Sequence, residues 1–157
     1  MAAIVENVLA GDLSCVVMRL GATSLLLPSV CVAEVMPWRQ LRPVPGMPPW
    51  LLGVVGWRGS KIPVLRFEAL NEQEPATAAS CLAVMNRCGS PSGQSFYAFA
   101  IDGLPRIVQV GEEDVAEVDE TLGAAERAAA HLGTESVRIP DLAYIENQLL
   151  SLLRRTG

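Results

Sequence analysis

Arg58 and Lys61, set between the apolar runs of "PGMPPWLLGVVGWRGSKIPVL" at 45–65, are the charges in this 157-residue chain that most need a chemical reason. A charge within strand-like sequence must meet an opposite charge, reach water at a turn, or serve a surface that another molecule binds. "GVVGWRGSK" resembles a phosphate-binding loop, but that loop ends in Gly-Lys-Ser/Thr, and here Ser60 separates Gly59 from Lys61. Other reactive groups are sparse. Cys15, Cys31, Cys81 and Cys88 have no CxxC spacing and are expected to be small buried hydrophobes of a reducing compartment. His131, in "AAAHLG", is expected to cap a helix end or to be solvated, and a single histidine leaves no His-rich metal site or Ser-His-Asp arrangement. Asp102 and Asp141 are isolated carboxylates; either could be a general base, but nothing in the sequence supplies its partner. Neither GxSxG nor HExxH is present, so the residues alone name no enzyme site and no metal or cofactor site.

Charge is unevenly distributed. Between Glu34 and Glu68 there is no acid, yet Arg39, Arg42, Arg58, Lys61 and Arg66 all fall there. Lys61 is the only lysine, so this positive charge is mostly arginine, whose fork suits carboxylates at interfaces. Residues 112–120, "EEDVAEVDE", carry six acids in nine and read as solvated surface. A net charge of −5 with 5 % aromatic residues argues against a nucleic-acid surface. No apolar run is long enough to span a bilayer and the N-terminus lacks a signal-peptide pattern, so a cytoplasmic protein without direct membrane insertion is expected.

The elements that must position these residues are mainly β. The length suits one domain, 1–157. "LSCVVMRLG" (13–21) and "TSLLLPSVCVAEV" (23–35) predict strands at hairpin distance, the second broken at Pro28-Ser29. Beyond that break, Val32 and Glu34 are expected on one face, with Cys31, Ala33 and Val35 on the other, so Glu34 points outward. "PVPGMPP" (43–49) is a stiff loop, because four prolines in seven residues exclude helix and sheet interior. "WLLGVVGW" and "KIPVLRF" predict two strands joined at Arg58-Gly59-Ser60, where Gly59 can take a positive φ and Arg58 reaches water. Gly53 and Gly56 within the first of them suggest a bulge, a barrel corner or the close approach of another backbone.

"CLAVMN", "QSFYAFAID" and "PRIVQV" predict three more strands, with "GSPSG" as a hairpin tip. Leu122, Ala125, Ala129 and Leu132 recur at helical spacing and predict an alanine-rich helix over 121–132, followed by one short strand, "SVRIP". Asp141 is expected to cap a closing helix, 141–155, whose Leu142, Ile145, Leu149 and Leu152 face a sheet. Eight or nine short strands imply barrels or a sandwich. Trp38, Trp50 and Trp57 would form either an exposed platform or the packing of their own loops.

Val32-Ala33-Glu34-Val35, then "PVPGMPPW", then "LLGVVGWRG" and "KIPVLRF", together resemble the core signature of the CheW family of chemotaxis coupling proteins. "FYAFAIDGLPRIVQV" (96–110) and "VRIPDLAYIENQL" (137–149) extend the resemblance over nearly the whole chain, after an N-terminal segment at 1–12. It implies two small five-stranded, SH3-like barrels sharing an apolar seam, plus the C-terminal helix. It also implies a non-enzymatic adaptor that docks chemoreceptor cytoplasmic tips and the regulatory domain of a CheA-type histidine kinase. Carried onto this chain, the family's contact surface falls on Arg58 and Gly59, with Val32 and Glu34 next, Gly53 shaping the groove, and Trp57 beside the arginine.

Two departures stand out: Gly56-Trp57 where the family usually has Asn-Leu, and Leu65-Arg66 where it usually has an aspartate after the strand's valine. They favour a divergent adaptor, similar to accessory CheW-like proteins of type IV pilus (twitching) systems. Self-association or binding to another CheW-like chain through barrel edges is the alternative. A small β-barrel enzyme, needing a pocket around Asp102 or a cysteine of strongly shifted pKa, is the remaining one.

Overall fold

Neighbouring side chains of the same strand enter different apolar clusters, and this alternation builds the fold. On β1 (Leu13–Leu20), Cys15 and Val17 enter one cluster while Val16, Met18 and Leu20 enter another. On β2 (Thr23–Pro28), Leu26 follows the first pair, and Leu25 and Leu27 the second set. β6 (Cys81–Asn86) and β7 (Phe96–Ile101) divide their side chains the same way, Leu82, Val84, Ala98 and Ala100 against Ala83, Met85, Tyr97 and Phe99. Strands buried on both faces read as continuous apolar runs, which is why half of this chain is apolar. The computed structural model describes residues 13–21, 23–74, 78–87 and 96–156. The 1–12 segment, Cys88 and the "GSPSG" tip lie outside the described residues.

The other strands are β3 (Val32–Pro37), β4 (Leu51–Trp57), β5 (Ser60–Leu65), β8 (Arg106–Val110), β9 (Val115–Val118), β10 (Glu126–Leu132) and β11 (Glu135–Pro140). They form a six-stranded sheet, β8-β1-β2-β11-β10-β9, and a five-stranded sheet, β3-β6-β7-β5-β4. All six strands of the first contribute to one cluster, from Cys15 and Leu26 to Val110, Ala130 and Ile139. Cys15, Leu26 and Val110 are fully buried there, and a sheet face that nothing else covers reaches that state by curling around itself. The second sheet closes likewise around Val64, Leu82, Val84 and Ala98. The third cluster is the seam between the two, so the expected pair of barrels sharing an apolar core is present, with six strands in one of them rather than five.

The extra strands correct the expected helix. Residues 126–132 are β10, paired with β9 and β11, and β9 comes from the acidic run itself. Alanine's helix propensity is worth only tenths of a kcal/mol per residue over its competitors, about 0.7 at most. Burying Ala128, Ala129 and Ala130 between two partner strands outweighs it. The sequence signal was Gly133-Thr134, a two-residue turn between Leu132 and Glu135, with Gly133 at φ 64°. His131 is therefore an exposed strand residue and caps no helix.

Among the described residues the helices are a 3-10 turn at Ser29–Cys31, a one-turn helix α1 (Phe67–Leu70) and the long α2 (Leu142–Thr156). Asp141 accepts the Tyr144 amide at 3.0 Å, the expected cap, and Leu142, Ile145 and Leu149 fill the seam. Among the described residues no helix is long and apolar enough to cross a membrane.

Candidate protein-interaction site

Trp57 pairs with Ser60, so the loop between β4 and β5 is only Arg58-Gly59, and both take positive φ, 47° and 79°. Two such residues make the hairpin turn whose twist matches the strands it joins. Glycine adopts that conformation freely, whereas arginine adopts it at a cost, so Arg58 is held out from the barrel by its backbone. Its side chain is 68 % exposed.

Three groups converge on this tip. The Arg58 guanidinium lies over the Trp57 ring, Cζ 4.6 Å from its centroid, and Nη2 stands 3.3 Å from Glu34 Oε1. Trp57 Nε1 donates to the same oxygen at 3.0 Å. The indole itself is buried in the barrel core, 4.8 Å from the Phe96 ring, with its polar edge at the surface. Glu34 is thus tied to the core by one hydrogen bond and to a mobile-length side chain by one exposed ion pair, worth roughly 0.2–1 kcal/mol. Arg39, not anticipated for this role, donates Nη1 to the Gly56 carbonyl at 2.8 Å and braces β4 just before the turn.

The remaining candidates are placed differently. Val32 is half-buried against the seam, as is Val35, while Ala33 packs into the barrel. Val35 was expected to share a face with Ala33; a bulge between Val32 and Glu34 on the β3–β6 ladder breaks the alternation. Gly53 is buried, at φ 151°, and a Cβ there would lie 2.5 Å from the Arg42 carbonyl oxygen. Arg42 and Val54 exchange two backbone hydrogen bonds of 2.9 Å, so Gly53 admits the chain entering the proline-rich loop against β4; of the bulge, corner or close approach expected there, the approach is present, and so is an irregularity in the ladder between Leu51 and Gly53. Arg66 lies in no exposed surface: it is buried with Glu68 at 3.0 Å, both side chains 5 % exposed. Burial pushes the Glu68 carboxyl above its ordinary 4.5, opposed by its backbone hydrogen bond and by Arg66.

The tryptophans divide. Trp57 is buried, whereas Trp38, 40 % exposed, and half-buried Trp50 line a cleft of about 980 Å³ beside α1. The groups named for chemistry stay apart. The Asp102 amide, in the bend after β7, donates to the distant Arg19 carbonyl, Asp141 caps α2, and Cys15 sits inside the first barrel, where burial raises its thiol, opposite to the need of a nucleophile. Sequence reasoning missed three exposed apolar residues: Val30, Leu104 and Ile107 are 75, 79 and 72 % exposed, Ile107 on β8, an end strand of its sheet, and Leu104 just before it.

No curated protein matches this sequence. Among solved structures, the scaffolding protein TtCheW from Thermoanaerobacter tengcongensis is similar, with a TM-score of 0.68 and 17 % identity over 82 % of this chain and 88 % of that one. At that identity the likeness concerns the fold. The CheW-like domain model matches residues 14–148, which takes in both barrels, the Arg58 hairpin and the first half of α2, and the chain belongs to that family.

Proposed function

We propose that this protein is a non-enzymatic adaptor that couples chemoreceptor cytoplasmic tips to the regulatory domain of a CheA-type histidine kinase. Family membership supports the adaptor class. The observation that carries the reading further is the Arg58 guanidinium, held off the barrel by a two-residue turn and braced over a buried indole. Such an arginine loses little freedom on meeting a carboxylate, which is the economy of a preorganised contact. Arg58, Gly59 and Glu34 are the contact residues in this reading; Trp57 and Val32 support them, and Gly53 acts by seating the proline-rich loop. The Gly56-Trp57 departure supports a twitching-type pathway over a flagellar one. Arg66 no longer does, being part of the buried packing.

Calorimetric titration against the kinase regulatory domain and a receptor tip tests this. Micromolar binding that Arg58→Glu weakens at least tenfold for one partner, with unchanged circular dichroism, is expected. Losing a hot-spot arginine costs on the order of 2 kcal/mol. Binding to neither partner overturns the coupling role.

A second reading, association with another copy or another CheW-like chain, is favoured by the exposed Leu104 and Ile107 at an end strand. Sedimentation of the wild type and of Ile107→Lys separates the two: only this reading expects a concentration-dependent dimer that the lysine abolishes.

A further inference from the structure

The cleft beside α1 lies away from the Arg58 turn and is built from separate pieces of chain. Pro48, Pro49 and Trp50 come from the proline-rich loop, Glu72 from the turn after α1, and Tyr144 from the first turn of α2, with Trp38 at the end of β3. Its walls are fixed by backbone. The Leu51 amide donates to the Pro48 carbonyl at 3.0 Å, and the Arg66 amide to the Trp50 carbonyl at 2.9 Å. Glu72 is held at φ 59°, its amide donating to the Ala69 carbonyl at 3.1 Å. A non-glycine residue kept in that region is a cost that surrounding structure sustains, and such residues gather at ligand clamps.

The cleft's charge is one-sided. Glu72 and Glu74 are exposed at its rim, while Arg66, the one cation among the described residues that line it, is buried with its charge met by Glu68 at 3.0 Å. Acidic rim groups on a cleft that two indoles and a phenol ring also line make a field that attracts a cation, beside aromatic rings that can hold one. At about 980 Å³ the volume is at the upper end of sites that enclose a ligand.

We propose that this cleft is a docking site for a partner protein's peptide segment that inserts an arginine or lysine, flanked by aliphatic residues, among Trp38, Trp50 and Tyr144 beneath Glu72 and Glu74. The Arg58 turn is suited to a carboxylate and this cleft to a cation, so the two surfaces take partners of opposite charge. The inference does not rest on the adaptor reading.

The indole N–H signals of Trp38, Trp50 and Trp57 in the 15N-labelled full chain test it, with the capped peptide Ala-Leu-Arg-Leu-Ala as probe and versions carrying citrulline or glutamate at the centre. The expected result is a saturable shift of Trp38 and Trp50 with the arginine peptide and an unmoved Trp57. Citrulline, which keeps the shape without the charge, binds at least fivefold more weakly. The double substitution Glu72→Gln and Glu74→Gln, at exposed positions, weakens the arginine peptide at least threefold, whereas Arg58→Ala leaves it unchanged. No shift at millimolar arginine peptide, or equal binding of the citrulline or glutamate peptide, overturns the proposal.

Discussion

Arg58–Glu34 and Arg66–Glu68 are pairs of the same two residue types at opposite ends of β5, and their surroundings differ completely. The first pair has side chains 68 and 41 % exposed, with its arginine on a turn and over an indole. The second has both side chains 5 % exposed at the foot of α1. In water an ion pair exchanges one set of favourable partners for another at little net gain, so it can open for a third molecule. Under the fold the same pair has no solvent to return to, and removing one member leaves the other desolvated and uncompensated. Residue type therefore says little about role here; access to water decides it.

The sharpest way to break the comparison is to truncate both arginines. Arg66→Ala is expected to lose about 3–5 kcal/mol of stability in urea unfolding, because Glu68 is left buried without its counter-charge. If Arg66→Ala unfolds no more easily than Arg58→Ala, the contrast fails.

Gly53→Ala comes next, with an expected loss of about 1–3 kcal/mol. Its Cβ would meet the Arg42 carbonyl, and its φ is unfavourable to any side chain. Faster amide exchange at Arg42 and Val54 would locate the damage at the loop contact rather than at the Arg58 turn.

The pH dependence sharpens the buried side. Glu68 is held above its ordinary 4.5, first by burial, so the folded state keeps its proton to higher pH than the unfolded chain does. The stabilisation tied to that proton is complete below about pH 4.5 and is lost as pH rises through the folded-state value. Urea midpoints of wild type relative to Glu68→Gln should therefore decline from pH 4 upward; a rising difference would contradict the assignment.

The smallest expected effect is on the exposed pair. A double-mutant cycle with Arg58→Ala and Glu34→Ala should give a coupling of about 0.2–1 kcal/mol in stability, falling with added salt. Partner affinity should rank the two pairs the other way, with Arg58 as the sensitive position.

Much of this was legible in the chain. "WRGSK" after an apolar strand announced a turn that lifts Arg58 into water, and the turn is there. Gly53 signalled a bulge, a corner or a close backbone approach, and Arg42 supplies the approach. The carboxylate before "LAYIENQLL" signalled a cap on an amphipathic helix, and Asp141 is that cap. Each of these depends on interactions within a few residues, or on a backbone freedom that a single residue type confers. What failed was the alanine-rich helix expected over 121–132, since alanine's helix preference is small and both partner strands of 126–132 had to be known before its state was decided.

The sequence by itself determined the strand-rich class, the Arg58 turn and the closing helix, because apolar period, glycine placement and capping act locally. Only the tertiary structure decided that Glu34 meets Arg58 and Trp57 across the barrel mouth, that Arg66 is sealed beneath α1, and that Trp38 and Trp50 part from Trp57 to line a cleft. The physical reason is that exposure and long-range pairing belong to the closed barrels as a whole: β3 and β4 must curl around one core before residues so distant in the chain can share an oxygen atom.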